Sequence, residues 1–231
     1  MAHPRSAQPV IPLVRYQSAL LLRSQRWLGP VLVYAAFMGI GVQAGEPVLD
    51  SMGYAAAGLL PVAAWLVRIC VTQEPEAART CAAAAAGPAR VHLASLLAAT
   101  GSATLLGLVG TAYVAAVSDP ASGDHKVAVP LGAATAAGLL AAAVCVLTGA
   151  VVGALGSRPL LHGRGWSLSL TALAALLALV LAPSPARYAV FGLVSGSRTG
   201  AVHLAVLPLA AAIVLAGAAA AGVCALSSRR R

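Results

Sequence analysis

Six apolar stretches, each close to the length of a bilayer crossing, take up most of this 231-residue sequence. They lie near Trp27 to Gly45, Ser51 to Thr72, Val91 to Val117, Val127 to Gly156, Trp166 to Pro183 and Ala201 to Leu226. A helix rises about 1.5 Å per residue and the hydrocarbon core is about 30 Å thick, so roughly 20 apolar residues are enough to cross. No water reaches that layer, so each backbone amide must be bonded inside its own helix or inside a closed barrel. None of the runs alternates polar with apolar residues, which excludes a barrel. Hydrophobic residues make up 60% of the chain and charged ones 9%, too few to solvate a globular surface. The expected fold is therefore all-α and polytopic, with an arm over 1–26, a six-span domain over 27–226 and a basic tail over 227–231.

Charge sets an expected orientation. With the N-terminus in the cytoplasm, the inner segments hold Arg5, Arg15, Arg23, Arg26, Arg68, Arg79, Arg90, Arg158, Arg164, Arg229, Arg230 and Arg231, against Lys126, Arg187 and Arg198 outside. Twelve against three favours both termini inside. The net charge of +9 then reads as an orientation signal and an attraction to anionic lipid, not as a nucleic-acid footprint. A competing reading makes Trp27 to Val42 the apolar core of a signal peptide, with Val42-Gln43-Ala44 as a cleavage site. The long, partly apolar arm ahead of it argues against that.

Within the arm, Pro4, Pro9 and Pro12 oppose regular structure. From Leu13 to Arg26 a helix would put Arg15, Arg23 and Arg26 along one side and Leu13, Leu20 and Leu21 away from them, as in a helix lying on the membrane surface. In the fourth span, Gly149 and Gly153 form a GxxxG pair that allows close backbone approach, within one chain or between two. Between the fifth and sixth spans, Tyr188 to Val194 is too short to cross and too apolar to float. It is expected to be a re-entrant or interfacial segment that includes Tyr188 and Phe191, or else a loop packed over the bundle's outer face.

Much chemistry is missing. No Asp, Glu or Lys falls inside the six spans, whereas ion-coupled transport or intramembrane catalysis needs titrating groups there. Arg68, His92 and His203 sit near span ends, where they can reach the headgroups. Gly192-Leu193-Val194-Ser195-Gly196 has one residue too many for an intramembrane serine protease. His3, His92, His125, His162 and His203 include no i, i+4 pair for a metal. Cys70, Cys81, Cys145 and Cys224 show no paired spacing. Lys126, the only lysine, follows His125 and so makes no P-loop. Any ATP and Mg chemistry belongs to another polypeptide.

One inner connection carries a pattern. In Gln73 to Arg90, Pro75 with the early acids Glu74 and Glu76 suits a helix start, alanines sustain the helix, and Gly87-Pro88 ends it. The plain alternative is an amphiphilic loop on anionic lipid. Here the chain resembles the permease subunits of ABC-2 type exporters, which have six spans, both ends inside, an interfacial helix ahead of the first span and a coupling helix between the second and third. Glu76, Thr80, Pro88 and Arg90 fall close to that family's coupling pattern, while Arg79 stands where glycine is usual and Ala84 and Ala85 where leucines are usual.

The resemblance implies a non-enzymatic permease subunit, working with a second permease copy and with separate ATP-binding cassette subunits. Glu74, Glu76, Arg79 and Arg90 would meet the ATPase, and the arm would act as a lever. The substrate would be apolar or amphipathic. A different class of function is a membrane scaffold or immunity protein that binds partners within the bilayer and transports nothing. Arginine in place of lysine and abundant alanine are the composition of a high-GC bacterial genome, so the expected location is a bacterial plasma membrane.

Overall fold

The structure is a computed structural model that describes residues 10–156, 166–181 and 183–229. The expected basic connection with Arg158 and Arg164, the ends of both termini, and the residues His3, Arg5 and His162 lie outside the described residues. Within them the chain is helical: α1 (Val10–Ser24), α2 (Leu28–Gly41), α3 (Val48–Thr72), α4 (Glu76–Ala86), α5 (Pro88–Val117), α6 (Leu131–Leu155), α7 (Trp166–Val180), α8 (Pro185–Thr199) and α9 (Val206–Arg229).

Four helices have the length and composition to cross a membrane: α3, α5, α6 and α9. A fifth crossing is available if α7 and α8 count as one span, bent by 50° at Leu181 to Ser184. The prolines at 183 and 185 explain the break, because neither can donate the amide that would carry the helix through. α2 has 14 residues, about 21 Å of helix, and so falls short of the hydrocarbon thickness by itself. α1 begins at Val10, earlier than expected, and includes Pro12. Proline is tolerated there because the first turn of a helix leaves its amides unpaired anyway.

α3 is the hub, touching α1, α2, α5, α6, α7 and α8. Small residues make this possible. A Cβ at Gly153 would stand 2.7 Å from the Ala64 carbonyl oxygen, and one at Gly149 would collide with that of Leu60, so the GxxxG pair seats α6 directly on α3 within one chain. On the opposite flank, Phe37 of α2 stacks on Tyr54 of α3 with ring centroids 4.0 Å apart, and the Tyr34 hydroxyl donates to the Ala55 carbonyl at 3.2 Å. α8 approaches the first half of α3 over Gly53, beneath Leu193 and Val194.

Loops gather at two ends. At one, the Val48 amide donates to Asp119 (3.0 Å) and the Asp119 amide to Glu46 (2.9 Å), joining the α2–α3 and α5–α6 connections. The Gly123 amide donates to the Ser197 carbonyl at 2.9 Å, and the Ser197 hydroxyl donates to Asp50 at the same distance, so the end of α8 is tied to the same layer. Asp124 is held below the usual carboxylate range there, chiefly by the Ser122 hydroxyl. At the other end lie α1 and α4. The surface between is apolar: Leu207 is 83% exposed, Ile40 75% and Val214 70%. Of the most apolar stretch of α3, 67% is buried, against 11% of that of α9, so α9 in particular needs an apolar solvent on its outer side.

Candidate functional site

The α3–α5 connection folds as its residues dictate. Pro75 sets the approach to α4 (φ −58°), Glu76 occupies the first turn where the helix dipole favours an anion, and alanine fills most of the remaining turns. Gly87 then takes φ +90°, a conformation costly for any side chain, and Pro88 opens α5. The expected start and stop of this helix match its observed limits.

The root of α4 is fastened to α1. Glu74 is buried, 5% exposed, and its two carboxylate oxygens accept from the Tyr16 hydroxyl and the Gln17 amide, each at 3.2 Å. Gln73 adds to this by donating to the Gln17 backbone carbonyl (3.3 Å) and side-chain oxygen (3.2 Å). A buried carboxylate with hydrogen-bond donors is tolerable, whereas one without them is not. Burial, and then the neighbouring Glu74 charge, push the Tyr16 phenol up from its ordinary value. Arg79 folds back onto the end of α3, donating to the Val71 carbonyl at 2.9 Å and to that of Glu74 at 3.3 Å. It thereby covers carbonyls that the helix end leaves without partners.

The expected partner contacts thus divide. Glu74 and Arg79 are engaged inside the chain, Pro88 begins α5, and Glu76, Thr80 and Arg90 face outward. Thr80 caps its own turn by donating to Ala77 at 2.8 Å. The exposed face of α4 therefore runs Glu76, Ala77, Thr80, Cys81, Ala84, Ala85: one acid, then small residues. Neither Glu76 nor Arg90 takes part in an ion pair among the described residues.

On α1, Gln17 and Leu21 are buried while Arg15 and Arg23 point away, joined by exposed Ile11 and Leu22; Arg26, just past the helix, is exposed as well. Cationic heads beside apolar side chains suit a membrane surface. Tyr188 and Phe191 lie on the outward side of α8, whose other side, including Ala189 and Leu193, is buried on the bundle.

Sequence reasoning missed Tyr16, Gln17 and Gln73. Gln17 stands one turn before Leu21 on the arm's apolar face, and a polar residue there signals a polar partner across the contact. Among the described residues no group of three or more His, Cys, Asp or Glu side chains could hold a metal. Compared with known proteins, the chain matches no family model, no curated protein and no solved structure.

Proposed function

We propose that this chain is the membrane-spanning subunit of an ABC-2 type exporter, moving an apolar or amphipathic substrate with ATP hydrolysed by a separate subunit. The observation that carries the reading is the buried clasp around Glu74, which makes α1, the end of α3 and the root of α4 one mechanical unit. A force on the exposed face of α4 passes into α3 through the bonds of Arg79 to Val71 and Glu74, and into α5 through the packing of α4 on α5 and the short Gly87-Pro88 junction. The flat, small-residue face between Glu76 and Ala85 leaves room for another protein's side chains to approach the backbone, and Glu76 and Arg90 supply charges of both signs to fix register.

The spans support the same reading by what they lack, since no acid or lysine deep within them could draw on an ion gradient. In this reading α1 and α4 face the cytoplasm, as the arginine distribution favours. The permease works as a dimer, with itself or a similar permease, above two ATP-binding cassette subunits. Its plasma membrane is bacterial.

The test is co-purification from native membranes. A bound ATPase should be recovered, and reversing both charges, Glu76→Lys with Arg90→Glu, should weaken its retention and its turnover roughly tenfold. A complex that forms and hydrolyses ATP normally with both reversals would remove α4 as the coupling element.

A further inference from the structure

Between α8 and α9 lies a cleft of about 480 Å³, open on the outer side of the bundle and within the size range of small-molecule sites. Its α8 wall is Pro185, Tyr188 and Gly192, and its α9 wall runs from Leu207 to Leu215, about 12 Å along the helix. The cleft exists because α8 is bent away from α7 and packs back onto α3 and α6, so the first turns of α9 stand off and no other described residue fills the gap. No Asp, Glu, Lys or Arg lines it.

Two polar groups border this apolar space, the Tyr188 hydroxyl and the His203 imidazole. Both residues are exposed, and neither group bonds to another described residue. His203 belongs to the segment 201–205, which leads from the Asp50 layer into α9 and so marks the level where hydrocarbon gives way to headgroups. Below it the wall is apolar except for Tyr188, which α8 carries nine residues, about 13 Å of helix, before Ser197 at the Asp50 layer. A site with an apolar wall and one hydrogen-bonding group, His203, at its headgroup end fits a molecule with the same division.

We infer that the cleft holds one acyl chain of a bilayer phospholipid, whose ester or phosphate oxygens accept a hydrogen bond from His203. A second copy of the chain is the poorer occupant. Helix pairs in membranes meet through small residues, whereas here Tyr188, Leu204 and Leu207 stand on the rim, 61%, 55% and 83% exposed, and hold another backbone away. A flexible chain can pass between them. The inference rests on the bundle sitting in a bilayer and is independent of ATP coupling, so either can fail alone.

The chain reconstituted in nanodiscs containing phosphatidylcholine with a photoreactive group midway along one acyl chain provides the test. Label should concentrate on 185–192 and 207–215, above its level on the equally exposed α5 residues Leu105 and Val109. Gly192→Trp should abolish that excess, because an added side chain there meets open space and fills the cleft without disturbing the fold. Gly132→Trp on α6, where a Cβ also meets nothing, should leave it unchanged. Ala211→Phe fills the cleft from the other wall and guards against a folding failure at 192. His203→Ala should reduce the excess about five-fold, the loss expected for removing a hydrogen bond's worth of retention. Label spread evenly over the exposed apolar helices and unchanged by Gly192→Trp would overturn the inference, as would efficient disulfide formation between Gly192→Cys chains in the same membrane.

Discussion

At the scale of single residues, Glu74 decides how the α4 end is held. Glu74→Ala would leave the Gln17 amide buried without an acceptor, which costs about 1–3 kcal/mol. Glu74→Gln, which keeps one carbonyl oxygen in place, should cost less. Thermal unfolding in detergent is expected to rank the wild type above Glu74→Gln and both above Glu74→Ala; equal midpoints would mean the clasp holds nothing. The Tyr16 phenol is pushed up from 10.0, so the stability its neutral form contributes is fully present below that pH and lost as pH rises through the raised value. Tyr16→Phe, which cannot ionise, should remove this alkaline loss, as read from α1 protection in hydrogen exchange. In the bundle, Gly153→Val should destabilise by about 1–3 kcal/mol through overpacking against Ala64 and Val67, with no effect on self-association, because the contact is within one chain. The presence of GxxxG was legible in the sequence, but its partner was not, since α3 lies about ninety residues away in the chain. The same holds for Glu74: its type and position before a helix read as a docking charge, and only the return of α1 from 57 residues earlier buries it.

Elements were legible where they carry their own punctuation. α4 is bounded by Pro75 and Gly87-Pro88, and its limits could be read directly. α8 was legible only in part. Tyr188 to Val194 announced a segment too short to span, either re-entrant, interfacial or a packed loop, but the helix runs from Pro185 to Thr199, where Gly200 closes it at φ +71°. Its inner face of Ala186, Ala189 and Leu193 is an ordinary helical stripe, obscured by the exposed Tyr188 and Phe191 between them. The α7–α8 break can be checked by placing cysteines along it. A thiol at Ser184 should resist a membrane-impermeant reagent added to either side, while one at Arg198, exposed beside the Asp50 layer, should react from a single side. Equal reactivity at both positions would show that α7 alone completes the crossing and α8 lies outside.

For the whole molecule, the composition already required an apolar solvent, and the exposed surface of α9 says where it is met. What composition could not supply was the pairing of the ends. α1 and α4 share one end because Gln17 reaches Gln73 and Glu74, and the acid-bearing loops share the other because Asp119 bridges them. The chain as proposed has no engine of its own, so the face of α4 must touch one. Cys81 stands exposed on that face, whereas Cys70 and Cys145 are buried in the bundle, which makes it a native probe. A bifunctional thiol reagent applied to native inverted membrane vesicles, followed by peptide mapping of the Cys81 adduct, measures both the side and the contact. Capture of an ATP-binding cassette subunit from the cytoplasmic side is the expected result, and labelling of Cys81 from the external side by an impermeant reagent would contradict it.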